Sequence, residues 1–187
     1  PSPRNHREKR GCPALAEQPL WLRYVRYSSL ETLAVALALA LLAAAGADLN
    51  AMEVQQYDPV TIASVANDEE TLAVLLQLGA SAKNTTSPYE GTALIAAAHL
   101  GHAGVVRQLI VAGAPLDHVN NLHWTALIES IVLGNGGPRH QATLQALLKA
   151  GASQALTDRQ GNTPLQLARQ RGYREMVQML EAAAARR

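Results

Sequence analysis

A glycine-alanine pair recurs along the chain at Gly46-Ala47, Gly79-Ala80, Gly113-Ala114 and Gly151-Ala152, at intervals of 33, 34 and 38 residues. A further step of 33 falls on Ala184, inside the closing alanine run. Self-similarity at this period means one supersecondary unit copied along the chain. No copy can bury its apolar face alone, so each must stack on its neighbour. A stacked solenoid is therefore the architecture to expect, and its work is binding.

A second frame runs ahead of the pairs. Asp58-Pro59-Val60, Thr92-Ala93-Leu94, Thr125-Ala126-Leu127 and Thr163-Pro164-Leu165 each open with a side-chain oxygen that can cap the free amides of a helix. Pro59 and Pro164 take the first helical position, where a missing N–H costs nothing. Small residues follow at Ala63-Ser64, Ala97-Ala98 and Ala168, allowing close approach of a neighbouring helix. Nine residues after the cap, Asn67, Gly101, Gly134 and Gly172 are placed to turn the chain out of this first helix. A second helix carries Leu72/Leu75/Leu76, Val105/Val106/Leu109/Ile110, Leu144/Leu147/Leu148 and Met176/Val177/Leu180 at helical spacing. The glycine of each Gly-Ala pair then suits a left-handed C-cap.

These frames resemble the ankyrin repeat, strongly over residues 58–184 and fairly well over 46–57. Thr163-Pro164-Leu165-Gln166-Leu167-Ala168 differs from the family's TPLHxA only at Gln166, and Gly101-His102 matches its glycine-histidine turn. The stretches GTALIAAAHLGH, DHVNNLHWTALIES and GNGGPRHQ also look like a subgroup of bacterial ankyrin proteins. The resemblance implies an all-α solenoid of helix pairs with short β-hairpin fingers. Four clear repeats are expected at about 58–91, 92–124, 125–162 and 163–187, preceded by a degenerate repeat at about 28–57.

The N-terminal part is read differently. Residues 1–27 hold six basic and two acidic side chains, a charge of +4 that leaves −3 for the rest of the +1 chain. They are expected to be a disordered or non-native basic arm, and the acidic remainder gives no support to a nucleic-acid-binding array. Residues 32–47 carry no charge. They read as the second helix of the degenerate repeat in preference to the apolar region of a secretory signal, which would place the mature protein in the periplasm or outside the cell. Sixteen uncharged residues fall short of the roughly 20 a membrane-spanning helix needs.

Little points to chemistry. One cysteine, Cys12, excludes an intrachain disulfide framework. Among six histidines, no pair has a further Cys or acidic ligand at usable spacing, so neither metal nor cofactor is expected. Ser64, Ser130 and Ser153 belong to no identifiable nucleophile-base pattern, and no catalytic residue is assigned. By the resemblance, His102 and His140 fall on the family's packing and hydrogen-bonding histidine.

The surface carries the functional expectation. In an ankyrin array the fingers and the exposed side of the first helix form a concave face. The matching positions here are Tyr57, Leu100, Trp124, Val132 and Leu133, aromatic or apolar where an idle surface would tend to be polar. Another protein is the implied partner, with Asn120, Asn121, Arg159 and Gln160 on the finger tips adding polar specificity. The alternative is a small-ligand or anion receptor. The third full repeat contains five extra residues around Asn135-Gly136-Gly137-Pro138, and Gly136, Gly137, Arg139 and His140 lie near a helix N-terminus that can attract an anion.

Overall fold

The computed structural model describes residues 30–186, so the expectations for residues 1–27 lie outside the described residues. Four helix pairs follow one another: α2 (Pro59–Val65) with α3 (Glu69–Gln77), α4 (Ala93–Leu100) with α5 (Ala103–Val111), α6 (Ala126–Val132) with α7 (Pro138–Ala150), and α8 (Pro164–Gln170) with α9 (Arg174–Ala184). First helices stack on first helices and second on second, giving an inner row α2, α4, α6, α8 and an outer row α3, α5, α7, α9. A preceding helix, α1 (Leu30–Ala44), extends the outer row by packing on α3, where Thr32 Oγ1 donates to Glu70 Oε2. Among the described residues no helix is long and apolar enough to cross a membrane.

The capping side chains do what their chemistry allows. Asp58 Oδ1 accepts from Thr61 N at 2.7 Å, and the hydroxyls of Thr92, Thr125 and Thr163 accept from Ile95, Ile128 and Gln166 N at 3.2–3.3 Å. At α8 the cap is reciprocal, because Gln166 Oε1 accepts the Thr163 N–H at 2.8 Å. Beneath the caps the two rows share one core. Leu72, Leu94, Val105, Val106, Leu109, Leu127, Ile128, Ile131, Leu144, Leu147, Met176 and Leu180 have no exposed surface. Ala97, Ala98 and Ala168 are equally buried, so the inner helices approach closely through methyl groups rather than aromatic rings.

Every outer helix but the last, α9, ends in the same way. Gly46, Gly79, Gly113 and Gly151 have φ of +81° to +95°, and the following alanine N–H reaches back to Leu42, Leu75, Leu109 and Leu147 O at 2.9–3.1 Å. The exit from the first helix is left-handed at Asn67, Gly101 and Gly172 but not at Gly134. There the five-residue insertion moves the left-handed turn to Gly136, with φ of +70°. Gly134 is instead needed for close approach, since a Cβ on it would lie 2.2 Å from Ser130 O.

The chain then enters the fingers. The second finger is an antiparallel hairpin of β1 (Thr85–Thr86) and β2 (Gly91–Thr92), paired Thr85 to Thr92 and Thr86 to Gly91. The others are tighter turns, closed by Glu53 N to Tyr57 O, Asn120 N to Trp124 O and Asp158 N to Asn162 O at 3.0–3.1 Å. Hydrogen bonds also join one finger to the next: Ser87 N to Gln56 O at 2.7 Å, Asn121 N to Tyr89 O at 3.0 Å, and the Arg159 guanidinium to Asn121 O.

Gly79→Ala tests the cap directly, because nothing lies within 4 Å of the added methyl and only the backbone conformation opposes it. The variant is expected to lose about 1–2 kcal/mol in equilibrium urea unfolding, without a change of fold.

Candidate functional site: an aromatic-lined groove on the concave face

Successive fingers leave a recess against the inner helices. Tyr57 from the first finger, Ser87 and Tyr89 from the second, and Leu122 and Trp124 from the third line a cavity of about 370 Å³. Its floor is Ile95, Ala96 and His99 of α4 with Glu129 of α6 and Leu133 just beyond that helix. Tyr57, Trp124 and Leu133, expected along the binding face, therefore converge. Leu100 and Val132 do not line the cavity. Val132 is partly buried against the core, and Leu100 lends its carbonyl to Arg139 Nη2 at 3.3 Å. His99 rather than Leu100 lines the recess from α4, whereas from the next repeat it is Leu133 rather than Val132.

The polar residues assigned to the tips require one correction. Asn120 lies beneath its tip, 3% exposed. Its Oδ1 accepts from Leu122 and Trp124 N, both at 3.0 Å, and its Nδ2 donates to Glu129 Oε1 at 2.9 Å. The turn consumes the acceptor and Glu129 takes a donor, which is why this side chain is buried. Asn121, Arg159 and Gln160 are exposed. Asn121 and Arg159 also serve the inter-finger links, and Asn121 Nδ2 donates to Pro88 O at 3.1 Å.

Glu129 is the residue that the sequence reading missed. It stands on the inner row, 5% exposed, in the otherwise apolar run Ala126–Ile131 apart from Ser130. Its signal was available: a lone carboxylate among core-facing positions of a first helix. Burial pushes its carboxyl up to about 7, although the Asn120 hydrogen bond acts in the opposite direction. Oε2 lies 3.7 Å from His99 Nδ1, too far for a hydrogen bond. Burial, with His140 nearby, lowers His99 below the usual imidazole range. The two groups are thus each biased toward the neutral form, and they face one another as weakly ionised neighbours rather than as a settled ion pair.

The glycine-rich insertion is packed inward. Tyr173 OH donates to Gly134 O at 2.9 Å, and a Cβ on Gly136 would lie 2.5 Å from the Tyr173 ring. Gly137 N donates to Asn135 Oδ1 at 3.0 Å, so one amide at the start of α7 is already capped. His140 Nε2 donates to His99 O at 2.9 Å, as His102 Nδ1 donates to Ser64 O at 3.0 Å one repeat earlier. The cleft beside Arg139 also contains Glu69, whose charge opposes an anion.

With stacked helix pairs, left-handed Gly-Ala caps and inter-finger bonds in place, the class is defined: the chain belongs to the ankyrin repeat family. A family model described as Ankyrin repeats (3 copies) matches residues 60–152 and again 104–185. The chain is 39% identical over 142 residues to the Escherichia coli K12 protein YahD, named as an ankyrin repeat protein, covering 75% of this chain and 70% of YahD. It also resembles the crystal structure of an ankyrin repeat domain from Acinetobacter baumannii AYE. The identity is 43% and the TM-score 0.75, covering 91% of this chain and 89% of that one.

The raised carboxyl has a measurable consequence. A group whose folded pKa exceeds its unfolded value contributes stability below the unfolded pKa and loses it as pH rises through the folded one. For Glu129 the loss runs from about 4.5 to about 7 and amounts to something on the order of 3 kcal/mol. Glu129→Gln keeps an acceptor for Asn120 and removes the ionisation. Melting curves are expected to match wild type near about pH 4.5 and to lie above it near about pH 8. Coincident curves at both pH values would refute the account.

Proposed function

We propose that the protein is an interaction module that docks a segment of another polypeptide on its concave face, with no cofactor and no catalytic step. Ankyrin repeats are in general protein-protein interaction scaffolds, and the family is typically non-enzymatic. The observation carrying the finer reading is the recess itself: aromatic and apolar side chains from three fingers meet over two inner helices. Such concave, aromatic-rich patches supply most of the binding energy in protein interfaces. The strip continues toward the N-terminus. Ile62 and Val65, 52% and 46% exposed, occupy the positions on α2 that Ala96 and His99 hold on α4. α1 completes the array in this reading as the outer helix of a degenerate first repeat, bearing its Gly46 cap in the common register.

Peptides selected from a random display library against the whole protein provide the test. Trp124→Ala is expected to weaken them by about thirtyfold or more. Because Trp124 also packs against the core, Leu133→Asp serves as the second variant: Leu133 is 42% exposed, so the melting temperature should hold while affinity falls. Peptides indifferent to both changes would overturn this reading of the face.

The insertion is not favoured as a second receptor, since Asn135, Gly136 and His140 are committed to internal bonds and Glu69 shares the cleft with Arg139. Millimolar inorganic phosphate is expected to leave the melting temperature unchanged in wild type and Arg139→Ala alike. A phosphate-dependent rise lost in Arg139→Ala would reinstate the anion site.

A further inference from the structure

The recess has an unusual combination of properties for an apolar docking site. Among the described residues its one deeply buried ionisable group is Glu129, and no Lys or Arg lines it. A purely structural role does not require a carboxylate there. Asn120 is already positioned by the turn amides of Leu122 and Trp124, and a glutamine at 129 would accept its Nδ2 equally well. Only Oε1 receives a hydrogen bond among the described residues, while Oε2 lies 3.7 Å from His99 Nδ1 and is not a sealed, unpartnered atom: it opens onto the recess. Desolvating an ionisable group this far costs stability. The cost is offset if a cation completes the site.

The walls point the same way. Among the described residues Tyr57, Tyr89 and Trp124 are the Tyr and Trp side chains of the lining, and each comes from a different finger. Aromatic faces attract cations, by about 0.5–1 kcal/mol when exposed and about 2 kcal/mol or more when desolvated. A basic side chain brings an apolar stem to contact Leu122, Leu133 and Ile95 and a charged head to meet the carboxylate. An acidic side chain would meet Glu129 as a like charge, and a neutral apolar one would leave it unpaired.

We propose that this recess takes the side chain of a lysine or arginine from the docked partner segment, with Glu129 as counter-charge and Tyr57, Tyr89 and Trp124 as its walls. The proposal rests on the reading of the concave face as a polypeptide-docking surface and adds the chemistry of the anchor. Binding the cation ionises Glu129 and releases its proton, so affinity rises with pH. The titratable groups facing Glu129 are His99 of α4 and, through the recess, Tyr57 and Tyr89 of the fingers, while His140 of α7 stands behind His99. Burial and His140 hold His99 below the usual imidazole range, so any positive charge it carries at low pH opposes the cation and acts in the same direction.

The test follows the Trp124 indole N–H by NMR in the full chain, with the resonance assigned from Trp124→Phe. Three probes are titrated: the N-acetyl methylamides of lysine, arginine and norleucine, the last having an apolar stem and no charge. At least one basic amide is expected to shift the indole saturably and to bind about tenfold or more tighter than the norleucine amide near about pH 8. The advantage should shrink near about pH 5 and disappear in Glu129→Gln. Equal binding of norleucine, an advantage that survives Glu129→Gln, or no saturable shift by either basic amide would overturn the proposal. The docking reading is judged separately, by the response of the selected peptides to Leu133→Asp. Peptides that need Leu133 but carry no basic residue would sink the cationic anchor while leaving the docking face intact.

Discussion

Everything in this array depends on a peptide unit that can turn left-handed at the end of each outer helix that another repeat follows. Gly46, Gly79, Gly113 and Gly151 hold the same conformation, and the same alanine N–H closes the last turn behind each of them. That turn sends the chain from the outer row to the fingers, and the next capping side chain sends it back into the inner row. A β-carbon at these positions would meet no neighbour at Gly46, Gly79 or Gly151, so the demand there is purely backbone strain. Repeats of one geometry stack because each leaves in the same direction.

What was legible in the sequence was what local chemistry decides. Asp58, Thr92, Thr125 and Thr163 cap the helices they precede, and the residues with helical spacing in the second helices are buried in the core or, at Leu76, Ile110, Leu148 and Val177, packed partly buried against it. These features need only a few neighbouring residues, so periodicity and residue type suffice to find them. The insertion was harder. Five extra residues allow several loop paths, and the close packing of Gly134 on Ser130 O and of Gly136 on Tyr173 is a tertiary matter. The left-handed turn accordingly sits two residues later than the frame implies.

The groove was legible only in part, for the same reason. Tyr57 and Trp124 are placed by their distance from the cap, but Tyr89 reaches the recess from a finger whose hairpin is longer than its neighbours. Leu100 and Leu133 hold equivalent places in their repeats, yet only Leu133 lines the recess, because the repeats differ in helix end: α4 stops at left-handed Gly101 and α6 at Leu133. Asn120 looks like a tip residue until its bonds to Leu122, Trp124 and Glu129 are seen. Polar residues that fold back on their own turn are indistinguishable in sequence from those that reach outward.

The inter-finger hydrogen bonds have a mechanical meaning. Gln56 to Ser87, Tyr89 to Asn121 and Asn121 to Arg159 form a strap running across four fingers, parallel to the helix stack behind it. A solenoid otherwise joined only by nearest-neighbour packing bends like a hinged ladder. The strap makes its concave edge resist stretching, so flexing is directed toward closing the groove rather than opening it. A segment wedged among Tyr57, Tyr89 and Trp124 would stiffen three rungs at once.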